Sequence, residues 1–466
     1  MQGTSHESAP EAGDRPGSGD AAPLGRASRI RSRQLFFASW IVFTAHFATN
    51  IEREHYPAFA LVERGNFQVD EYLGFHSDIF QHTDGHAYIG NNVAGAVIAA
   101  VPLFVFDPAL DRLEAYSLRQ LEEGDGTGFT EYRTYEHHPN RKAFFDLVRE
   151  RGLELRFGGA AFVTTAFLMA PLSALFVALL FLLLRRRGVE RGKATLLALL
   201  FGFGTPIFFR TAALNHNMFV MWATFGSFLL MWPRGERAAG VSLRNRILAG
   251  GLAGLALALD YAGVIPLLAL YGYLVLDRAR FVPFARSFRE SLAFVAGSVP
   301  PVLFLLYSQW AMFGNPFLPG QYWMPEVNYT DEGWRGFSLP APDLFFKNLF
   351  EPEYGLFTFG PILLLGFIPA WRYAKERLVF SRPERWFAFG FVLAFLLFCA
   401  ANQYSRMQWN TGFRYLLPIV PFVFLAACDH LVRMPKWALG TIAALASFHS
   451  WVIATIREAV PLSYRI

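Results

Sequence analysis

Charged side chains follow directly after an apolar run near the start of the chain. The segment IEREHY (residues 51–56) places Glu52 and Glu54 two residues apart, and Asp78 follows in the same polar region. A carboxylate can act as a general base that takes the proton from an attacking hydroxyl group. Charged groups next to lipid are costly and are typical of a wet cavity or a functional site. Glu52, Glu54 and Asp78 are therefore the candidate catalytic residues, although Glu52 or Glu54 could also be a solvated helix start and Asp78 a helix cap.

A second group of side chains could bind a phosphate. Arg414, Arg210 and His216 each lie at the end of an apolar run. Arginine binds phosphate oxygens through paired hydrogen bonds and keeps its charge. We predict that these three residues bind an anionic head group. Arg414 could instead anchor its helix at the membrane surface, and His216 could cap a helix.

Aromatic residues and one further acid accompany these groups. The candidate substrate-binding residues are His55, Tyr56, Tyr322, Trp323 and Trp409. Tryptophan rings can stack on a sugar or lie in the membrane interface. Asp260 falls within apolar sequence, which is compatible with a functional role or with a buried hydrogen bond to a neighbouring helix.

We predict a site without a cofactor. The stretch GVERGK (188–193) is one residue short of a phosphate-binding loop. Cys399 and Cys428 lie in apolar runs and have no zinc-type spacing. Glu52 and Glu54 could hold a divalent cation.

Apolar helices must position these residues. Of 466 residues, 53% are hydrophobic and only 17% are charged, where a soluble domain carries about 25%. The apolar runs are separated by arginine clusters, which explain the net charge of +5 better than a nucleic-acid partner does. We predict an all-α integral membrane protein with about eleven transmembrane helices in a lipid bilayer. The predicted spans are 35–50, 158–184, 194–209, 217–232, 247–260, 262–276, 290–312, 355–371, 386–401, 415–431 and 437–455.

The arginine-rich linkers predict the orientation. A cytoplasmic N-terminus places the basic linkers in the cytoplasm, as positive charge favours, and the C-terminus outside. This assignment requires the apolar run 92–106 to be a short interfacial or re-entrant helix, because about 15 residues are few for a crossing. The cytoplasmic linkers are then 185–193, 233–246, 277–289, 372–385 and 432–436.

Three parts of the chain follow from this topology. Residues 1–34 form a disordered cytoplasmic tail before a signal-anchor helix, with a cleaved signal peptide as the alternative. Residues 35–455 form the membrane domain, and residues 456–466 form an outer tail. Within the domain, 51–157 is a large first outer region with juxtamembrane helices and 313–354 is a second outer loop. The polar groups gather on this side, so we expect a site that faces outside.

Several short motifs resemble the C-type glycosyltransferases, polytopic enzymes that use lipid-linked sugars and include protein mannosyltransferases and aminoarabinose transferases. ERxHY at 52–56 is similar to their Asp-Glu-x-His-Phe motif, with Glu52 in the acidic place. The chain departs from the family where Val93-Ala94 replaces a common Pro-Gly pair and Phe413 replaces a common proline. The other similar segments are AFALVERGNFQVDEY (58–72), LNHNMFVMW (214–222), FGNPFLPGQY (313–322) and GFRYLLPIVPF (412–422).

The resemblance implies a membrane glycosyltransferase of the bacterial cytoplasmic membrane. It would move a sugar from a polyprenyl-phosphate donor to a glycan, lipid or protein acceptor outside the cytoplasm, at a site without a metal ion. One carboxylate base inverts the configuration, whereas a retaining enzyme would need a carboxylate nucleophile. Two alternatives are a transporter or flippase of a lipid-linked saccharide and a non-catalytic membrane scaffold. A transporter is expected to show inverted repeats and ionisable residues at mid-membrane depth, whereas here the polar groups gather on one side.

Overall fold

The computed structural model describes residues 25–123, 139–232, 237–326, 330–370, 373, 378–406 and 413–456. Most of these residues are helical, and they include one antiparallel hairpin of β1 (Ile79–Gln81) and β2 (Ala87–Ile89). The helices are α1 Arg26–Ala45, α2 His55–Arg64, α3 Ala94–Glu122, α4 Pro139–Glu150, α5 Glu154–Thr164, α6 Ala170–Arg186, α7 Arg191–Phe203, α8 Ile207–Arg210, α9 His216–Met231, α10 Leu243–Leu259, α11 Val264–Ala279, α12 Phe284–Phe313, α13 Pro342–Phe350, α14 Leu356–Phe359, α15 Arg382–Ala401, α16 Val420–Leu431 and α17 Lys436–Ile456.

Six helical segments in the described ranges are long and apolar enough to cross a membrane. This finding supports the prediction of an all-α, multi-pass membrane protein. A π-helical turn at Thr165–Met169 joins α5 to α6, so that they form one continuous helix. The six segments are Ala94–Glu122, Glu154–Arg186, Tyr261–Ala279, Phe284–Phe313, Arg382–Ala401 and Lys436–Thr455.

Helices lie in most of the predicted spans, but eleven membrane crossings are not confirmed, because six segments of the described residues are long and apolar enough to cross. The predicted span 355–371 is not one α-helix: it holds the four-residue α14 and a 3₁₀ helix at Pro361–Phe367. Proline lacks a backbone N–H and interrupts an α-helix. A Cβ atom on Gly366 would lie 2.2 Å from the carbonyl oxygen of Val423, so this segment packs closely against α16 instead.

The first helix begins earlier than predicted. Helix α1 starts at Arg26, so the predicted tail boundary at residue 34 was wrong. Its first turns carry Ser28 and Ser32, which are buried, and Arg185 donates to Ser28 at 3.5 Å. Packing against the end of α6 therefore extends the helix beyond its apolar part. Residues 1–24 and 457–466 lie outside the described residues.

Helix α3 is longer than the predicted short helix at 92–106. It has 29 residues and, by length and composition, could cross a membrane. Its polar second half is held by Arg156, which binds Asp111 at 3.0 Å and Glu114 at 2.5 Å. These ion pairs explain why the helix does not end with its apolar run.

The contacts of α3 place it beside the first half of the Glu154–Arg186 helix. Phe106 stacks on Phe167 with ring centroids 4.6 Å apart. A Cβ atom on Gly159 would lie 2.9 Å from Leu110. Helix α3 thus packs against the same end of the long helix that carries Arg156.

The basic linkers meet at one end of the helical bundle. Lys436 lies 2.6 Å from Glu190, and Arg278 donates to the carbonyl of Ala238 at 2.6 Å. Helix α9 begins at His216. Trp232 follows directly after the other end of this helix, and the guanidinium of Arg187 lies over its ring. The linkers and the polar cluster around His216 therefore lie at opposite ends of α9.

Helices α10 and α12 approach each other through glycines. A Cβ atom on Gly250 would lie 1.8 Å from the carbonyl oxygen of Phe294, and one on Gly297 would lie 2.0 Å from that of Ile247. Small residues allow membrane helices to pack with their backbones close together. This contact fixes the first half of α10 against α12.

Replacing Gly250 with alanine is expected to destabilise the protein by about 1–3 kcal/mol, the usual cost of overpacking a close contact. Gly272→Ala in α11 is the matched control, because no atom lies within 4 Å of its Cβ position. Thermal unfolding of both variants in detergent tests this. Equal melting temperatures for the two variants would contradict the close approach of α10 and α12.

Candidate functional site

A cavity of about 1660 Å³ lies at the end of the bundle opposite the basic linkers. Its wall combines the segment before α2, the β-hairpin region, the start of α9, the α10–α11 junction and the second long region, 313–354. Such a volume exceeds the roughly 300–1,000 Å³ of a typical small-molecule pocket, so two ligands can share it. The charged residues in the wall are Glu52, Arg53, Glu54, Asp78, Glu154, Arg210, Asp260, Arg335 and Arg414.

Helix starts position several of the polar side chains. Glu54 is the residue immediately before α2. Asn215 caps α9 by accepting from the backbone N–H of Asn217 at 2.9 Å, which fixes His216 as the first helical residue. Asp260 caps the turn between α10 and α11 by accepting from Ala262 at 2.8 Å. Side-chain oxygens satisfy the free N–H groups of helix starts in this way.

Arg53 is the centre of the polar cluster. Its guanidinium donates to Asp78 at 2.8 Å and to Glu54 at 3.2 Å, and it lies 3.2 Å from Nε2 of His216. Asn91 also donates to Asp78, at 2.8 Å. Arg53 therefore links residues from two parts of the first region with the start of α9.

His216 joins two carboxylates. Its Nδ1 lies 2.6 Å from Glu54 Oε1, and its Nε2 lies 3.2 Å from Asp260 Oδ2. Glu54 and His216 are both only 6% exposed. Three segments that are distant in sequence thus meet through one imidazole ring.

The cations of the cluster keep its carboxylates ionised. Burial raises the pKa of Glu54, but His216 and Arg53 lower it more, so the pKa lies well below its usual range. Burial also raises the pKa of Asp78, but the neighbouring Arg53 lowers it more, so this pKa lies below its usual value as well. A general base works best when its pKa is near the operating pH. Glu54 and Asp78 are therefore better suited to electrostatic and positioning roles than to proton abstraction.

Glu52 has a different environment from Glu54. It lines the cavity with intermediate exposure, whereas Glu54 is buried. Its backbone N–H donates to Nδ1 of His55 at 3.0 Å. This contact sets the turn that directs the segment from α1 into α2.

The two predicted phosphate-binding arginines lie in the wall of the same cavity. The Arg414 guanidinium lies 4.9 Å from the ring centroid of Tyr415 and donates to its hydroxyl at 3.2 Å. Arg210 ends α8 and is 6% exposed. With His216, all three predicted phosphate-binding residues meet the predicted acidic residues in one space.

The predicted aromatic contacts divide into two groups. His55 is fully buried and lies 3.1 Å from Thr164, and burial lowers its pKa to about 4. Tyr56 is 1% exposed. Neither residue lines the cavity, so the structure places both in the core behind it. Tyr322 lines the cavity, whereas Trp323 packs on Phe313 and does not. The predicted residue Trp409 lies outside the described residues.

Sequence reasoning did not select four polar residues of the cavity as site residues. Arg53 lies between the two glutamates, and Asp260 separates two apolar runs, so both carried a signal in the sequence. Asn91 and Arg335 carried no such signal in the sequence. The backbone of Arg335 has a φ of 49°, and its guanidinium lies 4.9 Å from the ring centroid of Tyr322. A side chain in this left-handed region costs free energy and often marks a functional position.

No group of three or more histidine, cysteine, aspartate or glutamate side chains in the described ranges is arranged to hold a metal ion. The carboxylates of the cluster contact arginine, histidine and asparagine instead. The arrangement can bind an anion beside a carboxylate in a space that also has room for a second molecule.

Comparisons of the chain with protein-family models, curated proteins and solved structures found no match. The family resemblance therefore rests on the short motifs themselves, and the activity that it implies is taken up below as a proposal.

Proposed function

We propose that the protein is a membrane glycosyltransferase that moves a sugar from a polyprenyl-phosphate donor to an acceptor outside the cytoplasm. The observation that carries this proposal is that Glu52 and Glu54 line the same cavity as Arg414 and Arg210. The reaction needs a base for the acceptor hydroxyl and cations for the departing phosphate. A non-catalytic scaffold would need neither a base nor phosphate-binding cations in the wall of one cavity.

In this proposal Glu52 is the general base. It takes the proton of the acceptor hydroxyl as that oxygen forms a bond to the anomeric carbon. The bond from the anomeric carbon to the phosphate oxygen breaks on the opposite face, so the configuration inverts. Arg414 and Arg210 stabilise the negative charge of the leaving phosphate, and no metal ion is required for these steps.

The other charged residues support these roles. The low pKa of Glu54 keeps this residue ionised, which holds Arg53 and His216 in place. Tyr322 and Trp334 also line the cavity and are exposed, as residues that stack on a sugar ring must be.

The proposed topology has eleven crossings in the cytoplasmic membrane of a bacterium, with a cytoplasmic N-terminus and the cavity facing outside. It is supported by the basic linkers, which contact one another at the bundle end away from the cavity. It requires α3 to stay on the outer side. The ion pairs of its second half with Arg156 are consistent with that position, since charged groups are costly in lipid.

The proposal is tested by offering purified protein radiolabelled polyprenyl-phosphate sugars, one at a time, together with glycan, lipid and protein acceptor fractions. We expect label to pass from at least one donor to one acceptor fraction. A protein that moves intact lipid-linked saccharide across a vesicle bilayer, without cleaving the glycosidic bond, would instead be a flippase.

A further inference from the structure

The contacts of His216 determine the charge of its ring. An ionised carboxylate only accepts hydrogen bonds, whereas a neutral imidazole donates from one nitrogen alone. Nδ1 of His216 lies 2.6 Å from Glu54, and Nε2 lies 3.2 Å from Asp260. Both contacts are hydrogen bonds only when both ring nitrogens carry a proton. The geometry therefore favours an imidazolium ion.

Other features oppose this charge, and the two carboxylates must overcome them. His216 is the first residue of α9, and a helix N-terminus disfavours a cation. The Nη2 atom of Arg53 also lies 3.4 Å from Nδ1 and 3.2 Å from Nε2 of the ring. Arg53 is itself paired with Glu54 and Asp78, so its charge is balanced locally.

The proton on His216 controls the charge of the whole cluster. With it, the carboxylates of Glu54, Asp78 and Asp260 face two cations, Arg53 and His216. Without it, Arg53 is the cation that stays paired with Glu54 and Asp78, and the cluster repels an incoming phosphate more strongly. The neutral ring also keeps only one of its two hydrogen bonds to Glu54 and Asp260.

We infer that His216 and Asp260 are positioning residues that hold Glu54 and Arg53 in place and keep the cavity receptive to a phosphate-bearing ligand. This inference rests on the proposed function. Asp260 acts through His216, because its carboxylate holds the second ring proton. Loss of that proton as the pH rises weakens phosphate binding.

The charge state is tested first on the parental protein. Histidine labelled with ¹³C in the ring is followed by NMR between pH 5 and pH 10, and the Asn variant of His216 assigns the signal. The reference is histidine in a short unfolded peptide. We expect His216 to stay protonated to a higher pH than this reference, because the neighbouring carboxylates of Glu54 and Asp260 favour the charged ring. A titration at or below that of the peptide would overturn the inference.

The role of the pair is tested with undecaprenyl phosphate as the probe. Its binding to the parental protein is expected to fall as the pH rises through the His216 titration. In Asp260→Asn the fall should begin about one pH unit lower, and Asp260→Glu should restore much of the difference. His86→Asn, which is outside the cavity, should leave the profile unchanged.

The NMR titration and the probe-binding assay together separate the inference from the proposed function. Normal probe binding with the same pH profile in the parental protein and in Asp260→Asn would refute the positioning role and leave the glycosyltransferase proposal standing. No probe binding at any pH, together with an NMR signal of a protonated His216, would refute the donor proposal while the charge assignment holds. If Asp260→Asn does not fold, Asp260→Glu and the parental NMR titration still decide the inference.

Discussion

Glu52→Gln is expected to slow sugar transfer by about 10²- to 10⁴-fold, the usual contribution of a general base. Glutamine keeps the size of the side chain and removes its ability to accept the proton. Binding of the donor should stay at the parental level, because the phosphate contacts are made by other residues. Single-turnover transfer and equilibrium binding of the same donor separate these two effects.

The controls for this experiment are Glu54→Gln and Asp146→Asn. Glu54→Gln is expected to weaken donor binding as well as transfer, because it removes the carboxylate that holds His216 and Arg53. Asp146 is an exposed partner of Lys142 and should have no effect. Loss of transfer with intact donor binding in Glu54→Gln, and full activity in Glu52→Gln, would assign the base to Glu54. Parental rates in both glutamine variants and in the double variant would rule out catalysis by this pair.

Arg414→Ala is expected to raise the Kd for the polyprenyl-phosphate donor by about 10- to 100-fold. A hydrogen bond to a charged group contributes roughly 1.5–3 kcal/mol, and each 1.4 kcal/mol changes the Kd about tenfold. Arg414→Lys should recover part of the affinity, since lysine keeps the charge but cannot form paired hydrogen bonds. Binding of undecaprenyl phosphate to the two variants measures both effects.

The stability of the same variants gives the control. Arg414 lies over the ring of Tyr415, and loss of an exposed contact of this kind costs about 0.5–1 kcal/mol. Arg406→Ala is a matched change, because this arginine pairs with Asp343 and does not line the cavity. Normal donor binding by Arg414→Ala with a large loss of thermal stability would make Arg414 an anchor of its helix and place the phosphate site elsewhere.

The apolar runs of the sequence predicted most of the helices because helix formation depends on local composition and length. The runs at 158–184, 290–312 and 437–455 lie inside long helices of the structure. The end of a helix depends on what it packs against. This is why α1 and α3 continue into polar sequence, where Arg185 and Arg156 bind their side chains.

The sequence by itself determined that acidic residues follow the first apolar run and that arginines lie at the ends of later runs. Only the tertiary structure decided which of them share a cavity and which way each side chain points. His55 and Tyr56 lie next to Glu54 in the chain, yet they are buried in the core. Asp260 and Glu54 both contact His216, although about 200 residues of sequence separate them. Direction and partners depend on contacts between distant segments, and no local pattern encodes those contacts.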